Sequence, residues 1–141
     1  MGNMTDIKIE GTRFDTEQLP ETTLQVCKGE YHLKDGVHYI TYSEKIGGEK
    51  ESKAIIKTDG KTAALIRFSD YGSSMQFNPG KPYLGKYNTP YGVLDFEIVT
   101  REVTLKIKDC DVSLFLRYGM KIAGQQSENT LKINFNLREG N

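Results

Sequence analysis

Several features that mark particular protein classes are scarce in this chain of 141 residues. Two cysteines, Cys27 and Cys110, are too few for the disulfide framework of a small secreted domain. No apolar run approaches the roughly 20 residues that a membrane-spanning helix needs. The first ten residues also lack the apolar segment of a secretory signal. We therefore expect a cytoplasmic protein that carries two thiols and does not associate with membranes.

A surplus of charge of either sign is also missing. The 19 basic and 19 acidic residues cancel, so the formal net charge is zero. A protein that neutralises nucleic-acid phosphates needs an excess of lysine and arginine on one face. The composition therefore predicts no nucleic-acid partner.

Metal-ligating residues are few, because His32 and His38 are the only histidines. If Asp35-Gly36 forms a two-residue hairpin loop, the two imidazoles lie on opposite faces of the hairpin and cannot share an ion. A three-residue loop would change this register. No Cys-x-x-Cys, His-Glu-x-x-His or EF-hand spacing is present. We predict no metal site.

Motifs of catalysis and of cofactor binding are absent as well. Ser73-Ser74 follows Gly72, but the Gly-x-Ser-x-Gly turn of the α/β hydrolases is missing. Gly47-Gly48 is not followed by the Lys-Ser pair of a phosphate-binding loop. We expect no cofactor and a protein that is not an enzyme.

Strand-forming residues, in contrast, are abundant. Valine, isoleucine, tyrosine, phenylalanine and threonine supply 43 residues, whereas alanine supplies four. Apolar and polar residues alternate with a period of two along most of the chain, which is typical of strands with one buried face. The exception is a short helix predicted near Asp15 to Glu21. The clearest alternating segments are Leu94–Ile98, Val103–Ile107, Val112–Ile122 and Leu131–Leu137.

Turn signals divide these segments into eight to ten predicted strands. Asp35-Gly36 and Asp59-Gly60 are typical of two-residue type I′ hairpins, and Tyr71-Gly72 indicates a further reversal. The buried positions change from even to odd numbers around Thr100–Glu102, which predicts a bulge or bend. Such a corner lets a sheet close, although a corner of a β-sandwich would look the same. We predict one all-β domain over residues 1–141, an antiparallel β-barrel.

Candidate site residues come from the polar positions of this alternation. The register of the Asp35-Gly36 hairpin places Tyr42 and Glu44 on the buried face. A buried carboxylate needs donors, and Arg67 in a later strand can supply them. Tyr118 lies in the penultimate predicted strand, and Tyr91 belongs to a tyrosine-rich segment suited to a pocket mouth. The alternative is a purely structural polar cluster, or a Glu44 that lies at a solvated strand end.

The chain resembles a known family through motifs that occur in a fixed order. The motifs are Gly29-Glu30-Tyr31, Tyr39–Glu44, Leu65-Ile66-Arg67, Met75-Gln76-Phe77, Thr89-Pro90-Tyr91-Gly92 and Leu116-Arg117-Tyr118. Through them the chain is similar to the small uncharacterised bacterial proteins of the YwiB type over nearly its whole length. The Thr-Pro-Tyr-Gly turn together with the Tyr-x-Glu strand is the most specific part of this resemblance. The sequence departs from the family pattern after Arg67.

The resemblance implies a calycin-like barrel similar to that of lipocalins, and it implies no established activity. We expect a small-molecule binding protein that uses a cluster of polar residues at the barrel mouth. A lumen above about 300 Å³ would favour this function. The alternative is a protein-interaction module with a filled barrel and no ligand, favoured by an apolar exterior patch around Ile55 or Phe115. The predicted cluster comprises Tyr42, Glu44, Arg67, Tyr91 and Tyr118.

Overall fold

Ten antiparallel strands make up the computed structural model, which describes residues 3–15, 18–45, 51–68 and 73–136. No helix occurs in these ranges, so the short helix predicted near Asp15 to Glu21 is wrong: the first strand runs to Asp15 and the second begins at Gln18. The strands are β1 (Asn3–Asp15), β2 (Gln18–Lys34), β3 (Val37–Lys45), β4 (Glu51–Thr58), β5 (Ala63–Phe68), β6 (Ser73–Phe77), β7 (Tyr83–Thr89), β8 (Gly92–Lys108), β9 (Asp111–Ile122) and β10 (Gln125–Asn136).

The strands form a single sheet that curls into a nearly closed barrel. Their order is β6-β5-β4-β3-β2-β1-β10-β9-β8-β7. Each strand therefore pairs with its sequence neighbours, except that β6 does not pair with β7, and β1 also pairs with β10. The edge strands β6 and β7 approach each other without backbone pairing among the described residues. Across this seam the rings of Phe77 in β6 and Tyr118 in β9 lie 4.8 Å apart. The predicted all-β barrel is confirmed.

The interior is filled by the alternate residues of each strand. In β9, Val112, Leu114 and Leu116 are fully buried, and the residues between them are not. The interior also holds several aromatic side chains, five of which are buried while a sixth, Tyr118, packs against the core. The five buried aromatic residues are Tyr31, Tyr42, Phe77, Phe96 and Phe135.

The predicted bulge is present in β8. Its register with β9 shifts between Thr100 and Glu102, so Arg101 has no opposite residue. Ile98 is buried before the bulge and Val103 packs against the core after it. On the outer face, the Nη2 atom of Arg101 lies 3.1 Å from Oε2 of Glu128. The extra residue therefore restores the apolar face to the interior and bends the strand.

Of the two predicted type I′ hairpins, the structure contains one and replaces the other with a longer loop. Asp35 and Gly36 both have positive φ, 53° and 80°, and the two-residue loop is confirmed. The prediction at Asp59-Gly60 is wrong, because Thr58 pairs with Ala63 and the loop has four residues. The Asp59 carboxylate accepts hydrogen bonds from the backbone N–H groups of the third and fourth loop residues, at 2.9 and 2.8 Å, and this stabilises the longer loop. The reversal predicted at Tyr71-Gly72 lies outside the described residues.

The described ranges contain no helix that is long and apolar enough to cross a membrane. They also contain no group of three or more histidine, cysteine, aspartate or glutamate side chains placed to hold a metal ion.

Candidate functional site

The barrel wall opens between β2 and β3. These strands pair from Lys34↔Val37 only as far as Gly29↔Tyr42. Beyond that point β3 continues along β4, whereas β2 continues along β1 as far as Gln18. The two strands therefore diverge toward one end of the barrel, which we call the open end.

Gly29 is the last point of close contact between β2 and β3. A Cβ atom at this position would overlap the carbonyl oxygen of Thr41 and the Cδ1 atom of Ile7. Because the β3 backbone passes so close to β2 there, only a residue without a side chain fits. The close approach of the two strands ends at this glycine, and the opening begins.

A cavity of about 580 Å³ lies at this opening. Its rim consists of Thr23–Cys27 from β2 together with Tyr42 and Ser43 from β3. Its lining also includes three apolar residues from β1, β5 and β10, as well as Arg67. The cavity therefore combines an apolar lining with one cationic side chain and several polar groups, which is the composition of a small-molecule site. The three apolar residues are Ile9, Leu65 and Leu131.

Arg67 and Tyr42 lie in one row across the sheet. Tyr42 is opposite Ala54, and Ala54 is opposite Arg67. Arg67 shares its sheet face with the buried Leu65, so it points into the barrel, where it is half-buried. Ala54, which lies between them, is fully buried.

Tyr118 approaches the same region from the opposite wall. Burial raises the pKa of the Tyr118 hydroxyl above its ordinary value, and the positive charge of Arg67 acts in the opposite direction. This electrostatic effect requires that the guanidinium group lies near the phenol. Tyr118 borders a smaller cavity of about 220 Å³ that shares Gly11, Thr23 and Leu131 with the larger one. With its pKa raised, the hydroxyl stays protonated at neutral pH and can donate a hydrogen bond.

Comparison with known proteins places this chain in a family. The family model described as a domain of unknown function, DUF1934, matches residues 7–133. The chain belongs to this family. The matched range includes Tyr42, Arg67 and Tyr118, so this DUF1934 domain contains the whole polar cluster. No match was found among the curated proteins.

One solved structure has the same fold as this DUF1934 domain. It is the crystal structure of the ywiB protein from Bacillus subtilis, with a TM-score of 0.84 and 17% sequence identity. The alignment covers 96% of this chain and 92% of that chain. At this level of identity the likeness shows the fold alone. It confirms the YwiB-type resemblance of the sequence motifs.

The structure brings three of the five predicted site residues together and places a fourth elsewhere. Tyr42, Arg67 and Tyr118 converge at the open end. Tyr91 lies in the two-residue turn between β7 and β8, where it is 99% exposed. Turn residues point away from the barrel, which explains this separation. The backbone of Glu44 continues β3 opposite Ser52, but its side chain lies outside the described set, so a Glu44–Arg67 pair stays a prediction.

Thr23 and Gln25 were not predicted as site residues, although both line the cavity. The reason is an inverted pattern in β2: polar residues at odd positions face inward, and the apolar residues Leu24 and Val26 face solvent. The usual expectation that the apolar residues of a strand face the core therefore selects the outer face of this segment. The sequence does contain a signal for both residues. The Asp35-Gly36 hairpin fixes which residues of β2 face inward, and alternation along the strand then places Thr23 and Gln25 on the inner face.

The two histidines occupy opposite faces, as the hairpin register predicts. His38 is buried, and its Nδ1 atom lies 2.7 Å from the hydroxyl oxygen of Tyr31. His32 is on the outer face, with its Nε2 atom 3.5 Å from Oε2 of Glu30. The two imidazoles therefore do not share an ion in this register.

His38 should make the stability of the protein depend on pH. Burial lowers the pKa of His38 below its ordinary value of 6.5, which the imidazole regains in the unfolded chain. Below pH 6.5 the unfolded state then binds more protons, so the free energy of unfolding should decrease as the pH falls from 6.5 toward the folded-state pKa. Urea denaturation of wild type and His38→Gln across this range measures the effect.

The His38→Gln variant should show a weaker pH dependence than wild type, because this part of the proton linkage is removed. His32→Gln is the matched control, since it removes the other histidine from the outer face. Equal pH dependence in wild type and His38→Gln would contradict the prediction.

A second cavity of about 330 Å³ lies near the other end of the barrel. It is a groove on the outer face, where Tyr39, Lys57, Ala64 and Gln76 follow one another across β3 to β6. Asp59 also borders it, but its carboxylate accepts the hydrogen bonds of its own loop, and these lower the pKa of Asp59. We therefore take the cavity at the open end as the candidate site.

Proposed function

We propose that this protein binds a small anion with a short apolar chain, such as a medium-chain carboxylate, in the cavity at the open end of the barrel. The observation that carries the proposal is the placement of Arg67 and Tyr42 at a cavity of about 580 Å³, with Tyr118 near Arg67 at the adjoining smaller cavity. This volume exceeds the roughly 300 Å³ expected of a ligand site.

The chemistry of the three side chains favours an anion. Arg67 offers planar pairs of N–H donors that match the geometry of a carboxylate or phosphate group. The half-buried position of the guanidinium strengthens such a bond, because less water competes for it. Hydroxyl groups of Tyr42 and Tyr118 can donate to the remaining lone pairs, and the apolar lining residues suit a hydrocarbon chain.

We further infer that the protein acts in the cytoplasm, as a binding protein rather than an enzyme. Cys27 and Cys110 are both thiols in the structure, which agrees with a reducing compartment. The sequence contains no recognised catalytic motif. The zero net charge supports a partner other than nucleic acid.

Octanoate is a suitable probe, with octanol as its uncharged counterpart. Isothermal titration should detect octanoate binding to wild type, with octanol binding more weakly. Arg67→Met should weaken octanoate binding by about 10-fold or more, because a hydrogen bond to a charged group contributes roughly 1.5–3 kcal/mol. Inorganic phosphate in a separate titration shows whether the apolar chain is needed.

Arg117→Met is the matched control, since Arg117 lies on the outer face of the barrel with Nε 3.9 Å from Oε1 of Glu102. This variant should bind octanoate as wild type does. Glu44→Gln tests whether the Glu44 carboxylate competes with octanoate for Arg67. If it does, the variant should bind octanoate more tightly than wild type. Equal affinities of wild type and Arg67→Met would overturn the proposed site, as would the absence of octanoate and phosphate binding.

A further inference from the structure

We propose that β2 accepts an extended peptide from a partner protein as an additional strand in the gap between β2 and β3. One face of the added strand would contact the outer apolar residues of β2, and the other would enter the barrel cavity. An acidic side chain on that inner face would meet Arg67. This last element rests on the proposed function, whereas the strand addition itself does not.

The backbone of β2 has an exposed edge at this gap. Thr22–Val26 pairs with β1 on one side, from Thr12↔Thr22 to Lys8↔Val26. On the other side, no strand in the described part of the chain pairs with it. A strand directs its N–H and C=O groups alternately to both sides, so the gap presents a row of donors and acceptors. Another polypeptide backbone repeats at the same spacing and can satisfy this row.

The side chains of this edge do not protect it against strand addition. Protected edges carry lysine, proline or inward-pointing charges. Thr22–Val26 contains no charged residue and no proline. Its outward side chains, Leu24 and Val26, are 59% and 67% exposed. An incoming strand with apolar residues at its outward positions would pack against them as cross-strand neighbours.

The inner face of the same edge favours a peptide with an acidic residue. Thr23 and Gln25 line the cavity that also contains Arg67, so alternate side chains of an added strand would enter this cavity. A second copy of the protein, paired through its own Thr22–Val26, would bring only uncharged side chains to Arg67. An acidic peptide from another protein is therefore the better match.

A designed peptide tests the inference directly. The probe is a blocked, fluorescently labelled nonapeptide with valine at odd positions and threonine at even positions, except for a glutamate at position 4. Fluorescence anisotropy should detect its binding to wild type. Replacement of the peptide glutamate by lysine should weaken binding by about 10-fold or more, because a charge-assisted hydrogen bond is lost.

Two N-methylated versions of the peptide identify the binding mode. In one version the methylated nitrogens belong to odd residues, and in the other to even residues. Because alternate N–H groups of a strand point to the same edge, one version should lose binding by about 10-fold or more and the other should retain it. Equal effects of the two modifications would overturn strand addition.

Variants of the protein locate the edge that is used. Leu24→Lys combined with Val26→Lys changes only exposed side chains, and it should weaken binding by about 5- to 10-fold. Leu84→Lys is the matched control, because Leu84 is a 74% exposed residue of β7 and should not affect the affinity. Backbone amides of Thr22–Val26 should exchange more slowly with solvent when the peptide is bound.

The remaining outcomes separate this inference from the proposed function. Octanoate binding without peptide binding would overturn strand addition and leave the anion site. Peptide binding that is insensitive to the lysine replacement, together with no octanoate binding, would support strand addition and overturn the role of Arg67. A dimer in sedimentation velocity that dissociates in the Leu24→Lys and Val26→Lys variant would identify a second copy as the occupant and overturn the peptide.

Discussion

Replacement of Phe77 by alanine should destabilise the protein by about 3–5 kcal/mol, the usual cost of removing a fully buried phenylalanine. Phe77 is completely buried in the edge strand β6, and its ring contacts Tyr118 of β9 across the seam of the barrel. The substitution removes apolar surface from the core and one of the contacts that close the barrel. The free energy of unfolding from urea denaturation measures this loss.

Phe68→Ala provides the control for this variant. Phe68 lies at the end of β5, where it is 55% exposed, so its removal should cost less than about 1 kcal/mol. Phe77→Leu should show an intermediate loss, because it keeps most of the apolar volume. Similar costs for Phe77→Ala and Phe68→Ala would mean that β6 does not close the barrel in solution.

Replacement of Gly29 by alanine should destabilise the protein by about 2–3 kcal/mol, which is typical of overpacking in a tight site. The added Cβ would overlap backbone and core atoms, the carbonyl oxygen of Thr41 and the Cδ1 atom of Ile7. Neither can move without separating β3 from β2 or shifting the core. Thermal and urea denaturation should both report the loss.

Gly11→Ala is the matched control for Gly29→Ala. Gly11 also lies within a strand, but a Cβ there would meet its nearest neighbour, Oγ1 of Thr23, at 3.3 Å. The side chain of Thr23 can adjust, so the change in unfolding free energy should stay within about 1 kcal/mol. A Gly29→Ala variant as stable as wild type would show that β2 and β3 are not in close contact at the start of the gap.

Gly29 also connects stability to both proposals. The gap between β2 and β3 begins where this glycine lets the two strands touch, and it provides access to the anion cavity and to the exposed edge of Thr22–Val26. A variant that moves β3 at this point should therefore alter octanoate and peptide binding as well. Phe77→Ala acts instead at the seam between β6 and β7, where the Phe77 ring packs against Tyr118.

Local signals in the sequence were sufficient for the barrel and for part of its register. Positive φ at Asp35 and Gly36 is accessible to those residue types, so the hairpin and the faces of β2 and β3 follow from it. The change of phase at Thr100–Glu102 predicts the bulge, because a continuous strand would turn its apolar face to water. The same reasoning failed at Asp59-Gly60, where the aspartate side chain binds the loop backbone.

Only the tertiary structure decided which polar residues meet. Alternation assigns Tyr42, Arg67 and Tyr118 to the inner face, but it does not specify their height in the barrel or which wall faces which. Those relations depend on the curvature of the sheet and on the register of every intervening strand, including the point where β3 leaves β2. The convergence at Arg67 and the exposed edge of Thr22–Val26 depend on pairings along the whole sheet, including that of β1 with β10, which local pattern does not encode.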